Sequence, residues 1–578
     1  MTGPAAPKDP EKARPFFYIL KDKDIFGERQ KDGSGIQFIY ENDGRLINSA
    51  QITGNVTDKE ELRLLETVEG FGRLVHSIGV SVETDRPEET AEFVFQMYGK
   101  KDLYGGGTNL TTSLKCDGME HRIYLSDYRW TEDDHVPGQI KILFAAPERM
   151  GKVSVRLFLN DGYEAPPEEE DLVIDMHSEE YCGMISRSLL QLGNPYRIRK
   201  AIEKSKAGKE VTLAYIGGSI TQGAGAIPIH TECYAYKSFQ LFQNRFSTQN
   251  NVRFIKAGVG GTPSELGMIR FDRDVLREGE RPDIVVIEFA VNDEGDETKG
   301  VCYESLVRKV LKLPWKPAVV LLFSVFANDW NLQERLRPVG DLYDLPMVSI
   351  RDAVTQQFSL KCGEGRILSK NQFFYDIFHP NNTGHTIMAD CLQYLFERCD
   401  AAEPARVGTF VEGMTEEQIL SEKLSGPAVI GADFERIFLL DKKNRYVGAK
   451  IRAGGFTSTD IELQSVEMDG NLTQTPEFPY NWMYDGSRPQ MPGFEMEITC
   501  KSLFLIFKDS GEMDVGKANV FVNDVYCMTA DPHKNNWLHC NAVLLFWETE
   551  SRSHKVRIAV TEEDRNKKFT ILGFGYTI

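Results

Sequence analysis

Long apolar runs and a surplus of basic charge are both missing from this sequence. No stretch reaches the roughly 18 consecutive apolar residues of a membrane-spanning helix, so we predict no transmembrane helix and no membrane partner. Lys and Arg number 67 against 86 Asp and Glu, which gives a formal net charge of −19. Because phosphate backbones are bound by basic surfaces, we expect no nucleic-acid partner and favour a neutral or cationic substrate.

Cysteine is also scarce. The ten cysteines among 578 residues are scattered and form no Cys-x-x-Cys pair, which argues against a disulfide scaffold. The chain starts with MTGPAAPKDPEKARPFFYIL, which has no apolar core of signal-peptide length before its first charges. Both features indicate the cytoplasm, with secretion as the alternative if a leader has been removed. The histidines show no metal-ligand spacing, so no metal and no cofactor is expected.

The length and the changing pattern of the chain predict several domains. At roughly 100–200 residues per domain, 578 residues correspond to two to four of them. Residues 1–15 are predicted to be a disordered lead-in, and residues 16–175 an N-terminal β-sandwich of short strands with Gly-rich turns. Residues 405–578 return to strands, among them two separate ones at 543–547 and 555–559, and are predicted to form a second β-sandwich. The Pro-rich, acidic stretch 161–171 has the composition of a linker.

Between these regions, residues 185–402 alternate helix and strand. Apolar, β-branched runs such as 211–216 and 284–289 lie between helical segments. Strands of this composition are buried on both faces, which predicts a parallel sheet covered by helices on both sides. Sheets of this class bind their ligands at the carboxyl ends of the strands. Reactive side chains are therefore expected just after the strands.

A serine follows the first strand of this region, in the sequence Gly217-Gly218-Ser219-Ile220-Thr221. The two glycines allow the backbone to turn sharply and to approach a substrate closely. Taken alone, Gly-Gly-Ser after a strand is more often a plain turn. Thr221 stands where the G-x-S-x-G elbow of α/β-hydrolases has its last glycine, so that fold is not predicted.

Two more loops follow the next two strands. The sequence Gly258-Val259-Gly260-Gly261-Thr262 follows the second strand, and Asn292 follows the third. A backbone N–H in the first loop and the amide of Asn292 are suitable donors to an oxygen that becomes negatively charged during a reaction. The structural alternatives are a flexible loop for the glycines and a capping or turn role for the asparagine.

Asp376 and His379 precede the last helix of the region, which Pro380 is expected to begin. Three residues apart, they can fold back so that the carboxylate meets one ring nitrogen and the other nitrogen faces Ser219. Nucleophilic attack by a serine needs such a base, and the base needs an orienting acid. Ser, Gly, Asn and Asp-x-x-His thus occur in this order on four loops of one α/β unit.

This order resembles the SGNH hydrolase superfamily, also called GDSL-like esterases, over roughly residues 190–400. The resemblance implies a flavodoxin-like α/β/α fold with Ser219 as nucleophile, His379 as base and Asp376 as the residue that orients the base. It also implies an oxyanion site made of the Ser219 and Gly261 N–H groups and the Asn292 amide. Gly260 is an adjacent competitor for the role of Gly261.

Two departures from the family pattern point to one branch of it. Gly218 replaces the aspartate of Gly-Asp-Ser, and Ala290 replaces the glycine two residues before Asn292. In this respect the chain is similar to the carbohydrate acetylesterases, which often carry a β jelly roll beside the SGNH domain. This implies jelly-roll-like flanking domains, the C-terminal one a candidate carbohydrate-binding domain. It also implies a serine esterase that removes acetyl groups from acetylated oligosaccharides such as xylan or mannan fragments.

Other functions remain open on the same residues. The alternatives are a lipase or thioesterase, a glycan O-acyltransferase and a non-enzymatic glycan-binding protein. The oligomeric state is also open, and a homo-oligomer is one option. Gly260, Trp330, His230 and Tyr234 are candidates for contact with the substrate, with solvent exposure as the alternative for His230 and Tyr234. Four aromatic residues of the C-terminal region form either a carbohydrate platform or a packing surface between domains: Tyr480, Trp482, Tyr484 and Trp537.

Overall fold

The computed structural model describes residues 12–40, 45–101, 105–168, 170–402 and 415–578. Residues 1–11 of the predicted lead-in lie outside this part of the chain, as does the predicted start of the C-terminal domain at residue 405. No helix within the described ranges is both long and apolar enough to cross a membrane.

The N-terminal region consists of two antiparallel sheets around one apolar core. One sheet has the strand order β1-β9-β4-β7 and the other β2-β3-β8-β5-β6, and both contribute side chains to the same core. Exposed and buried residues alternate along the edge strand at residues 109–115, as expected where one face of a sheet meets solvent. The elements are β1 Phe16–Phe26, β2 Glu28–Arg29, β3 Gly35–Tyr40, α1 Arg45–Ile52, α2 Lys59–Leu64, α3 Val68–Leu74, β4 Val75–Thr84, β5 Thr90–Gly99, β6 Asn109–Lys115, β7 His121–Tyr124, β8 Asp134–Phe144 and β9 Met150–Leu159.

Three short helices between β3 and β4 differ from the mainly β character predicted for this region. The start signals of two of them, α2 and α3, are present in the sequence. The side chain of Asp58 accepts hydrogen bonds from two backbone N–H groups of α2, and Thr67 accepts one from α3. Such caps satisfy N–H groups that have no partner within the helix, and they were available as local evidence of helix.

The central region is a six-stranded sheet with helices on both faces. Strands β12-β11-β13-β14-β15 are parallel in the order 2-1-3-4-5, the flavodoxin-like order, and β10 is added antiparallel at one edge. The elements are α4 Glu179–Ser186, β10 Leu189–Gln191, α5 Tyr196–Lys206, β11 Val211–Gly217, α6 Ser219–Gln222, α7 Ile229–Glu232, α8 Tyr234–Phe246, β12 Val252–Gly258, α9 Ser264–Phe271, β13 Ile284–Glu288, α10 Val301–Leu311, β14 Ala318–Phe323, α11 Gln333–Tyr343, β15 Met347–Ser349, α12 Ile350–Phe358, α13 Lys370–Phe373 and α14 Asn382–Ala401.

The register of the three middle strands places their loops side by side. Gly217 at the end of β11 lies opposite Gly258 of β12 on one side and opposite Glu288 of β13 on the other. Every residue of β11 and of β13 is buried, because helices cover both faces of the sheet. The loops that follow these three strands therefore start at the same level of one edge.

The C-terminal region contains two very long strands, β21 and β24, which pair with each other along most of their length. The first half of β21 pairs with β17 and the second half with β25, and the register shifts between Cys500 and Ser502. The elements are α15 Glu416–Ser425, β16 Ile437–Leu440, β17 Ala449–Arg452, β18 Ser465–Glu467, β19 Gln474–Pro476, β20 Trp482–Tyr484, β21 Phe494–Asp509, β22 Ala518–Val522, β23 Val525–Ala530, β24 His539–Val560 and β25 Phe569–Thr577.

Strand β24 also differs from the sequence-based expectation of two strands at 543–547 and 555–559. The polar stretch 548–553 between them has the composition of a turn, but the structure shows an exposed irregularity inside one strand.

Strand β21 is buried on both faces in its second half. Phe504 and Ile506 pack against the central region, whereas Leu503 and Leu505 belong to the C-terminal core.

Candidate active site

Ser219, His379 and Asp376 lie in one chain of hydrogen bonds at the carboxyl edge of the central sheet. Ser219 is the first residue of α6, directly after β11 and Gly218. Its Oγ is 2.9 Å from His379 Nε2, and His379 Nδ1 is 2.9 Å from Asp376 Oδ2. A carboxylate that accepts Nδ1–H leaves Nε2 as the acceptor, so the ring can withdraw the proton of Ser219.

The second oxygen of Asp376 is held by the backbone of its own loop. Oδ1 accepts the N–H groups of Phe378 at 2.7 Å and of His379 at 2.8 Å. The backbone N–H of Tyr375 in turn donates to the carbonyl of His379 at 2.8 Å, which closes the loop. The carboxylate therefore has little freedom to rotate away from the ring.

Neighbouring elements fix this loop from outside. Lys23 of β1, a buried lysine, donates to the carbonyl of Phe374. The N-terminal region therefore contacts the loop that carries Asp376 and His379. The side chain of Asn381 accepts the N–H of Gly384 at 3.0 Å and caps α14. The sequence indicated Pro380 as the helix start, whereas the structure begins α14 at Asn382 because Asn381 provides the cap.

The two adjacent glycines of the second loop differ in what their N–H groups do. The N–H of Gly260 donates to the side-chain oxygen of Gln222 at 2.8 Å. The N–H of Gly261 donates to none of the residues that the structure describes. Gly261 has a positive φ of 70°, a conformation that favours glycine. Of the two glycines, Gly261 is therefore the one whose N–H group is available to a ligand.

Asn292 lies against the residue that precedes the serine. A Cβ atom on Gly218 would come within 2.2 Å of Asn292 Oδ1, so only glycine permits this approach. The loop of Asn292 turns tightly, since its N–H donates to the carbonyl of Phe289 at 3.0 Å. The side-chain amide of Asn292 therefore lies next to Ser219, as the sequence predicted.

A buried carboxyl group lies beneath the serine and was not foreseen from the sequence. Glu288 ends β13, has no exposed surface and accepts the hydroxyl of Thr221 at 3.1 Å. Burial raises the pKa of Glu288 to about 7, against the lowering effect of the hydrogen bond from Thr221. One acidic residue at the carboxyl end of an otherwise apolar strand was the available signal.

Tyr234 does not line an open pocket, which corrects both its substrate-contact prediction and its solvent-exposed alternative. His230 is half-buried rather than exposed, and its contact with the substrate stays a prediction. Tyr234 has no exposed surface, and its hydroxyl is 2.8 Å from that of Thr221, beneath the serine. His230 is turned toward the C-terminal region, with Nδ1 4.0 Å from Glu467 Oε2. Packing of α8 on the sheet removes the Tyr234 side chain from the surface.

His385 has a structural role between the same elements. Its Nδ1 accepts the N–H of Tyr234 at 3.1 Å, and its Nε2 donates to the carbonyl of Ala224 at 3.2 Å. Burial lowers the pKa of His385 to about 3, so the ring is neutral and holds the segment after the serine.

Three aromatic side chains, which we call the aromatic shelf, extend from the histidine along the sheet edge. Trp330 is half-buried and stacks on Phe326 at 5.7 Å between ring centroids. Phe326 meets Phe378 edge-on at 5.0 Å, and the exposed Phe378 ring lies 6.1 Å from that of His379. Trp330 is therefore linked to the site through two other rings.

The aromatic residues singled out in the C-terminal region separate into two groups. Trp482 and Tyr484 are only 6% and 5% exposed and belong to the C-terminal core, so they form no platform. Trp537 is 45% exposed, and a Cβ atom on Gly261 would come within 2.7 Å of its ring. The exposed Tyr480 lines a different cleft, of about 980 Å³, between the central and C-terminal regions.

Within the described ranges there is no group of three or more His, Cys, Asp or Glu side chains placed to hold a metal ion. The arrangement of hydroxyl, imidazole, carboxylate and amide donors instead suits attack on an ester carbonyl.

Comparison with known proteins supports this interpretation of the central region. Residues 215–387, which include all four loops, match the family model of the GDSL-like lipase/acylhydrolase family, and this confirms the predicted resemblance. No curated protein matches the chain.

Two solved structures share the fold. The first is a two-domain esterase (CEX) active on acetylated mannans, co-crystallized with mannopentaose. It is 23% identical with a TM-score of 0.55, and the alignment covers 68% of this chain and 97% of that one. A second structure of such an esterase is 23% identical with a TM-score of 0.54, over 68% and 98% of the two chains.

Proposed function

We propose that this chain, in which residues 215–387 form a hydrolase domain of the GDSL-like lipase/acylhydrolase family, is a serine esterase that removes O-acetyl groups from plant-type oligosaccharides such as xylan or mannan fragments. The observation that carries the proposal is the hydrogen-bond chain from Asp376 through His379 to Ser219. The N-terminal and C-terminal regions are in this proposal β-sandwich domains, at 16–175 and 405–578, that flank the esterase at 185–402.

In the first half of the reaction, Ser219 Oγ attacks the acetyl carbonyl carbon and its proton passes to His379 Nε2. Asp376 accepts Nδ1–H and stabilises the positively charged ring. The tetrahedral intermediate collapses when the bond between the carbonyl carbon and the sugar oxygen breaks. His379 returns the proton to that oxygen, so the sugar leaves with a free hydroxyl and the acetyl group remains on Ser219.

In the second half, water attacks the acetyl group and gives a proton to His379. The bond to Ser219 Oγ then breaks, the serine recovers its proton, and acetate leaves. In both halves the carbonyl oxygen carries a negative charge that the N–H groups of Ser219 and Gly261 and the amide of Asn292 stabilise. Donors of this kind are typically worth about 10²–10³ in kcat each.

The sugar part of the proposal is supported by exposed aromatic rings on two sides of the site. Trp537 lies over the Gly261 loop, and Phe378 of the aromatic shelf lies beside His379. Aromatic side chains that are partly exposed to water can pack against the apolar faces of sugar rings. The two structures of similar fold add support, since both are described as esterases active on acetylated mannans and one was co-crystallized with mannopentaose.

Acetate release and acyl-chain preference test the proposal. We expect the protein to release acetate from acetylated xylo- or manno-oligosaccharides and to prefer 4-nitrophenyl acetate over long-chain nitrophenyl esters. Ser219→Ala abolishes both activities, whereas Ser186→Ala, which changes an exposed serine outside the site, leaves them intact.

The competing functions give different results in the same assay. A preference for long acyl chains would favour a lipase or thioesterase. Acetyl transfer to an added glycan in place of release into water would favour an acyltransferase. Glycan binding without any turnover would favour a binding protein, and unchanged hydrolysis by Ser219→Ala would refute the assignment of the nucleophile.

A further inference from the structure

The Gly-Gly loop that supplies the proposed oxyanion donor is held by side chains of the C-terminal region. We infer that Gln464 is a positioning residue for this donor, a role that rests on the proposed function. Gln464 lies just before β18, about 200 residues beyond the loop in sequence, and is 8% exposed. Its Nε2 donates to the carbonyl of Gly260 at 3.0 Å.

The amide of Gln464 is itself fixed at both ends. Its Oε1 accepts the backbone N–H of Cys540 at 3.0 Å, while Nε2 faces the carbonyl of Gly260. Reversing the amide would place two donors against each other at one end and two acceptors at the other. The hydrogen-bond network thus permits one orientation only.

The geometry of the peptide bond transmits this contact to Gly261. In a trans peptide the carbonyl of residue 260 and the N–H of residue 261 share one plane and point in opposite directions. Gln464 therefore directs the N–H of Gly261 away from itself by holding the carbonyl of Gly260. This N–H donates to none of the described residues, which leaves it for a ligand.

The preceding peptide unit is held from the side of the nucleophile. The N–H of Gly260 donates to Gln222 Oε1 at 2.8 Å, and Gln222 is the last residue of the helix that Ser219 begins. Two glutamines, one from the central region and one from the C-terminal region, thus fix the peptides on both sides of Gly260. The donor and the nucleophile are tied to one framework.

His539 holds the next peptide unit. Its Nε2 donates to the carbonyl of Gly261 at 2.9 Å, and its ring packs on Trp537 at 4.6 Å between centroids. A Gly-Gly sequence has more backbone freedom than any other pair, so without these contacts the loop would sample many conformations. An oxyanion site works because its donors are oriented before the reaction, which is why this loop needs external contacts.

Gln464→Glu is the sharpest test because it keeps the shape and the acceptor for Cys540. The new carboxylate oxygen faces the carbonyl of Gly260 and repels it, so the peptide at 260–261 loses its orientation. We expect kcat for 4-nitrophenyl acetate to fall about 10- to 100-fold, with KM within about threefold of wild type. Gln139→Glu, which makes the same change at a buried glutamine of the N-terminal region, leaves kcat and KM unchanged.

The pH dependence separates positioning from loss of packing. A protonated glutamic acid can donate its O–H to the carbonyl of Gly260, so the ratio of variant to wild-type kcat rises as the pH is lowered. A general loss of packing predicts a constant ratio. His539→Phe and His539→Gln form a second pair, should the first variant fold poorly, and only the glutamine variant retains a donor and its activity.

The outcomes distinguish this inference from the proposed function. An unchanged kcat for Gln464→Glu, or a rise in KM alone, overturns the positioning role. If wild type hydrolyses 4-nitrophenyl acetate but releases no acetate from oligosaccharides, the proposed substrate fails and a slow Gln464→Glu still supports positioning. If Ser219→Ala remains fully active, the proposed function and this inference both fail.

Discussion

Replacing Asp376 with asparagine is expected to inactivate the protein without disturbing its fold. The reason lies in the two oxygens of the carboxylate. Oδ1 accepts two backbone N–H groups, those of Phe378 and His379, and only Oδ2 faces the imidazole of His379. An asparagine has one oxygen and one NH₂ group, so it must choose which side to satisfy.

Hydrogen-bond energies decide the choice. If the NH₂ group pointed toward the backbone, it would face the N–H groups of Phe378 and His379, and both hydrogen bonds would be lost. A typical hydrogen bond contributes about 0.5–1.5 kcal/mol to stability. With its oxygen toward the backbone, both of those bonds survive and the NH₂ group faces His379 Nδ1. The ring must then carry its proton on Nε2, where it can no longer accept the proton of Ser219.

The expected loss in kcat is about 10⁴-fold, the effect of a wrong tautomer in a Ser-His-Asp triad, which equals about 5.5 kcal/mol of transition-state stabilisation. The measurement is kcat for 4-nitrophenyl acetate, with the thermal unfolding midpoint as a check of the fold. Asp58→Asn is the matched control, because asparagine caps helix α2 as well as aspartate does. A kcat of Asp376→Asn within tenfold of wild type would refute the reasoning.

Further substitutions test other parts of the site. Asn292→Ala is expected to lower kcat about 10²–10³-fold with little change in KM, and a loss below tenfold would place its amide outside the oxyanion site. Gly261→Ala is expected to lower both kcat and the unfolding midpoint, because φ is 70° and the new Cβ lies 2.7 Å from an indole ring. Gly33→Ala, with φ 86° and open space around it, controls for backbone strain alone. Phe378→Ala is expected to raise KM for an acetylated oligosaccharide several-fold, about 1 kcal/mol, but not KM for 4-nitrophenyl acetate. For Glu288, burial raises the pKa from its ordinary value of 4.5 to about 7, so the folded state binds the proton more tightly and stability falls as the pH rises between these values. The free energy of unfolding of Glu288→Gln, measured with urea and compared with that of wild type, is expected to be about 2 kcal/mol more favourable at pH 8 than at pH 5. The same difference between variant and wild type at both pH values would contradict the raised pKa.

The central fold could be predicted because its information is local. Apolar runs such as those of β11 and β13 are long, β-branched and separated by helices, and this pattern indicates a covered parallel sheet wherever it occurs. The short helices α1–α3 were missed because strands dominate their surroundings, although Asp58 and Thr67 mark two of their starts. Strand β24 was divided in two because a polar stretch has the same composition in a turn and in an exposed irregularity.

The side chains of the candidate active site could likewise be predicted from the sequence. Ser219, Asn292 and the Asp376-x-x-His379 pair each follow a strand or precede a helix, and strand ends of a parallel sheet meet at one edge. The structure brings these groups together. Tyr234 shows the limit of such reasoning, since proximity to the serine in sequence could not tell that its side chain points into the core.

The sequence by itself thus determined which side chains form the candidate active site, in what order they occur, and on which class of sheet they lie. Only the tertiary structure decided which of two neighbouring glycines has a donor to offer. Gly260 and Gly261 are the same residue type, and the difference between them comes from Gln222, Gln464 and His539, which lie about 40 to 280 positions away in the chain. Orientation of a peptide unit depends on the partners that surround it, and those partners meet only in the folded protein.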